Sequence, residues 1–107
     1  MTEFSDYLYE MFSEFGPVEI KRLFGGQGVF FEGLMIGLIA KDSLYLKADK
    51  DSAHLFTERG LEAFHYGKGD KRVPMSYYQA PGEALEDPDE MKVWAEVAFE
   101  AALRSRR

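Results

Sequence analysis

The spacing of apolar residues changes abruptly at Gly16-Pro17, and that change constrains the fold more than any other feature of the chain. Before it, Phe4, Tyr7, Leu8, Met11, Phe12 and Phe15 recur at helical spacing and line one stripe. After it, from Val18 to Asp49, the chain is β-branched, aromatic and glycine-rich, the composition of strands and tight turns. Thr2 is placed to cap the helix, and Gly16 followed by Pro17 ends it, because proline forbids continuation.

Within the strand-rich part, Glu32-Gly33 and Lys41-Asp42-Ser43 are the tight-turn positions, so the segment reads as a β-meander. Leu34 to Ala40 is apolar at nearly every position, the pattern of a central strand covered on both faces. Leu44, Leu46 and Ala48 instead alternate with Tyr45 and Lys47, which implies one wet face. Asp49 or Asp51 caps a short helix carrying Ala53, Leu55 and Phe56; it stops at Gly60, with Leu61 packing back over its end. Ala63 to Tyr66 and Arg72 to Tyr78 read as antiparallel strands joined by the charged loop Gly67-Lys68-Gly69-Asp70-Lys71. Pro74 cannot donate to a ladder, so the second strand belongs at an edge or carries a bulge. Asp87-Pro88-Asp89-Glu90 starts a last helix near Pro88, with an Asp cap and a first-turn proline. Its apolar face is Met91, Trp94, Ala95, Val97, Ala98, Ala101 and Ala102, and Arg104, Arg106 and Arg107 suit the negative end of its dipole.

The expected architecture is a single α+β domain over residues 1–107. An antiparallel sheet of five or six strands packs against helices in the order α-β-β-β(-β)-α-β-β-α. At 107 residues such a chain buries roughly 65% of its unfolded surface, enough to fold without metal or disulfide staples.

Composition removes several function classes. With no Cys there is no thiolate for nucleophilic, redox or zinc chemistry. The longest apolar run, Gly33 to Ala40, is far short of the ~18 residues of a membrane span, and the N-terminus lacks the pattern of a secretory signal. A cytoplasmic location is the expectation. A net charge of −6 opposes general attraction to phosphate backbones. A basic patch for nucleic acid would have to be assembled from Lys21, Arg22, Lys68 to Arg72, Arg104, Arg106 and Arg107, residues that strand edges and helix ends also explain.

No catalytic set is legible. Gly25-Gly26-Gln27-Gly28 lacks the third small residue and the following helix of a dinucleotide fingerprint, so a bulge or a close strand approach accounts for it. His54 and His65 fall in different elements without metal-ligand spacing, and none of the serines lies in a nucleophile elbow. The expectation is a protein that is not an enzyme and that needs no cofactor or metal.

The run Lys21-Arg22-Leu23-Phe24-Gly25-Gly26-Gln27-Gly28-Val29-Phe30, with Gly33-Leu34-Met35 and Leu44-Tyr45-Leu46-Lys47-Ala48-Asp49, resembles the N-terminal domain of the TfoX/Sxy competence regulators. Met75-Ser76-Tyr77-Tyr78, Pro81, Leu85 and the Trp94-Ala95 helix extend the resemblance from about Ser5 to Leu103. It implies a two-layer domain similar to the secretion-chaperone-like folds. It also implies that full-length members are positive regulators of DNA-uptake genes, working with transcription machinery and carrying a second, C-terminal helical domain. The expectation for this sequence is a stand-alone N-terminal domain. The family's recurrent glycines and aromatics fall on Gly25, Gly26, Gly28, Gly33, Tyr77 and Tyr78, and with Lys21 and Arg22 all but Gly33 make up the candidate interaction surface. A regulatory or adaptor role by protein contact follows, with a homodimer as a further candidate assembly. The alternative from another class is a small-molecule site, in a pocket between sheet and helices lined by some of the nine Phe, six Tyr and one Trp.

Overall fold

The computed structural model describes residues 3–23, 25–66 and 73–106, and of residues 73 and 74 the backbone alone. The expected Thr2 cap and the charged loop from Gly67 to Lys71 lie outside the described residues. The first helix, α1 (Glu3–Met11), ends before its apolar stripe does. The N–H groups of Phe15 and Gly16 both donate to the Phe12 carbonyl, at 3.0 Å each, so the chain tightens into a turn. Phe12 is fully buried and Phe15 still packs on the core. Tyr7, expected on the stripe, is exposed, and its hydroxyl donates to the Leu85 carbonyl.

Six strands follow: β1 (Glu19–Leu23), β2 (Gly26–Phe31), β3 (Leu34–Ala40), β4 (Ser43–Lys47), β5 (Ala63–Tyr66) and β6 (Val73–Gln79). They form one antiparallel sheet in the order β1-β2-β3-β4-β6-β5. Both expected meander turns are two-residue turns with positive φ at both central positions, Glu32 (50°) with Gly33 (82°) and Lys41 (51°) with Asp42 (59°). That geometry matches the twist of the flanking strands. Between β4 and β5 lies α2 (Ala53–Thr57), closed by Gly60, and the Leu61 N–H donates back to the Phe56 carbonyl at 3.1 Å.

A 3-10 turn, Gly82–Leu85, has no counterpart in the sequence reading, because one turn carries no period to detect. It leads into α3 (Pro88–Ser105), whose cap is Asp87 accepting from the Asp89 N–H at 3.0 Å. Ala95, Ala98 and Ala101 are fully buried. With only methyl groups at these three positions, α3 lies close over β3 and β4. Leu8, Val29, Ile36, Leu46, Phe56 and Met91 fill the space between helices and sheet, all at 0% exposure. Three rings tie the layers at one end: Phe31 sits 4.4 Å from Phe15 and 4.9 Å from Phe99 between centroids.

One expectation needs correction, and another is resolved between its two alternatives. The helices cover one face of β3 only. Its unbroken apolar run arises because Ile36 is an extra residue in the β2–β3 pairing, which places Leu34, Ile36, Gly37 and Ile39 toward the helices and Met35, Leu38 and Ala40 away from them. The strand containing Pro74 is not an edge strand, since β6 lies between β4 and β5. It does carry a bulge: the register slips so that residues 75–77 stand opposite Phe64 alone, and Pro74 falls beyond the part of β6 paired with β4.

Candidate functional site: the concave face of the sheet

Strand alternation determines which side chains the helices leave uncovered. Ile20, Val29, Ile39, Leu44 and Leu46 point into the core, so their neighbours Lys21, Gly28, Leu38, Tyr45 and Lys47 point the other way. On this second face Leu23, Met35, Leu38, Phe64, Met75 and Tyr77 wall an apolar groove of about 410 Å³. An adjoining recess of about 610 Å³ is lined by Lys41, Tyr45, Glu62, His65 and Gln79 among others.

The groove's shape is informative. Leu23 belongs to one edge strand and Phe64 and Tyr66 to the other, yet all three line the same cavity. In a flat sheet six strands wide the edges would stand about 24 Å apart. The sheet therefore curls, with its hollow side away from the helices. Glycines permit the curl at β2. A Cβ on Gly26 would stand 2.4 Å from the Ile39 carbonyl oxygen, and one on Gly28 would stand 2.7 Å from Leu23 Cδ1 and 2.9 Å from Phe30 Cε1. The close strand approach expected of this glycine stretch is thus what it provides.

Exposure on this face is uneven. Tyr77 forms the floor at 8% exposure, and burial raises its phenol above the ordinary value, so it is neutral. Tyr66 and Met75 stand up at 57% and 41%. Tyr45 and Phe64 meet edge to face at 5.1 Å. Two cations lie over rings on the face, the Lys21 ammonium 5.1 Å from Phe30 and the Lys47 ammonium 5.1 Å from Tyr77.

A model of the TfoX N-terminal domain family matches residues 10–102. The chain belongs to that family. A search of curated proteins finds no match to it.

Of the residues marked beforehand in this TfoX N-terminal domain, Lys21, Gly25, Gly26, Gly28 and Tyr77 gather on the hollow face. Arg22 and Tyr78 do not. Arg22 alternates to the other side of β1, and Tyr78 turns inward to stack on Phe56 at 5.5 Å. Met35, Leu38, Phe64 and Tyr66 escaped sequence reasoning, because an apolar residue in a strand reads as core unless the covering layer is known. The only available signal was the mismatch between an apolar stripe on both faces of β3 and too few helices to cover both.

The other sequence candidates stay apart. The pocket expected between sheet and helices is occupied by packed side chains, and the groove lies on the opposite face. His54 is on α2 and His65 on β5, both exposed, and among the described residues no group of three His, Cys, Asp or Glu is placed to hold a metal. Arg104 is engaged elsewhere, in a two-pronged bond to Asp49 at 2.6 and 3.0 Å. Among the described residues the expected basic side chains do not converge; Lys68 to Arg72 and Arg107 lie outside them. Among the described residues no helix is long and apolar enough to cross a membrane.

Proposed function

We propose that this TfoX N-terminal domain is a non-enzymatic regulatory domain that works by protein contact through the hollow face of its sheet. The family supports a competence-related regulatory setting, and the partner class proposed with it is transcription machinery. The observation that carries the reading is the uncovered apolar groove, with Tyr66 and Met75 exposed beside it. An antiparallel sheet with one face on helices ordinarily turns polar side chains to water on the other. An aromatic face left open marks an interaction surface. Among the described residues the side chains lining the groove bear only two polar groups, the Tyr66 and Tyr77 hydroxyls, which suits apolar side chains of a partner better than a polar small molecule.

Photo-crosslinking in the native cell tests it. A benzophenone residue at position 66 is expected to capture a specific protein that the same residue at position 93, at 52% exposure on the helical layer, does not. Capture from 93 alone, or from neither, overturns the reading.

A further inference from the structure

We propose that the hollow face receives an acidic amphipathic helix of a partner chain, its apolar stripe in the groove and its carboxylates on Lys21 and Lys47. The proposal rests on the reading of this face as the contact surface and specifies its partner.

Shape, charge and edge chemistry agree on this occupant. A groove walled from both sheet edges is concave and takes a convex rod. Two copies of the chain would meet hollow to hollow and lysine to lysine, so a face-to-face homodimer does not fill it. The chain carries a net charge of −6, yet among the described residues the charged strand side chains on this face are Glu19, Lys21 and Lys47, and the adjoining recess adds one charge of each sign, Lys41 and Glu62. Glu19 pairs with Lys21 at 3.5 Å, both well exposed, a contact worth little against a better partner. Each ammonium lies over a ring, which holds the charge beside the groove rather than letting it sweep through solvent. At physiological salt, charges more than about 8 Å away are largely screened, so at contact range the groups on this face, and not the net charge of the molecule, set the sign a partner meets. A partner strand would need an open sheet edge instead of a groove. On β1 the Ile20 N–H is already taken by the Tyr9 hydroxyl at 3.0 Å.

The test is a titration of the full chain with two synthetic helical peptides that share one leucine stripe, flanked by glutamates in one and by lysines in the other, followed by fluorescence anisotropy. Two half-exposed ion pairs predict that the glutamate peptide binds about tenfold tighter. The double variant Lys21→Glu with Lys47→Glu is expected to reverse that order. Met75→Asp, at an exposed position that leaves folding intact by circular dichroism, is expected to weaken both peptides. Equal affinities, tighter binding of the lysine peptide, or no binding of either overturns the proposal. If position 66 still crosslinks a protein in cells, that result removes the acidic helix and leaves the contact surface standing.

Discussion

Asp49 sits where β4 hands the chain to α2, and its carboxylate gathers donors from the start of α2 and from the end of α3. It accepts from the Ser52 N–H at 3.1 Å and the Ser52 hydroxyl at 3.0 Å, and from Nε and an Nη of Arg104 at the far end of α3. The Arg104 fork, helped by Ser52, holds the Asp49 carboxyl well below the usual carboxylate range. A depressed folded pKa contributes stability that is complete above the unfolded value near 4 and is lost as the pH falls below it. With Asp49 at 17% and Arg104 at 32% side-chain exposure, Asp49→Asn is expected to cost about 1–2 kcal/mol at neutral pH. In thermal melts the gap between variant and parent should close below about pH 4; a gap that stays constant down to pH 2 would refute the assignment. Glycine positions offer a second comparison. The Gly26 Cβ would meet a backbone oxygen, which cannot move aside, whereas the Gly28 Cβ would meet the tips of Leu23 and Phe30, which can. Gly26→Ala should therefore destabilise by about 3 kcal/mol and Gly28→Ala by about 1 kcal/mol, a ranking that urea melts check.

At the scale of elements, the first and last helices were legible for different reasons. The stripe from Phe4 to Phe15 is long enough to show its period, and Asp87-Pro88 marks a start by capping chemistry alone. The strands of the meander were legible because left-handed turns admit few residues, and Gly33 is among them. Where α1 stops was not legible. That boundary depends on the Phe12 carbonyl capturing two N–H groups at once. The alanines of α3 set the distance between the two layers, so Ala98→Leu is expected to lift the helix and cost about 1–3 kcal/mol, a fall in melting temperature of roughly 5–15 °C. A substitution of similar size at Val93, exposed on the same helix, should change stability by less than about 0.5 kcal/mol. Equal losses at the two positions would show that α3 is not held at the separation described.

For the whole molecule the consequential property is asymmetry: one face of the sheet is sealed by helices, while the other is hollow, aromatic and bears two lysines within an acidic chain. With a net charge of −6 and no convergence of the described basic residues, retention on duplex DNA is expected to be negligible at physiological salt. Retention that persists there and declines steeply on adding salt would reverse that expectation. Local order in the chain was written in the sequence, because helix periods, caps, turn residues and charge are properties of neighbours along the backbone. Lys21, Gly26, Gly28 and Tyr77 could be picked out that way. Their assembly with Met35, Phe64 and Tyr66 into one groove could not. It depends on the insertion of β6 between β4 and β5, on the extra residue at Ile36 that sets which side of β3 meets the helices, and on the curl that brings opposite edges together. Those are relations between residues far apart in the chain, and only tertiary packing decides them.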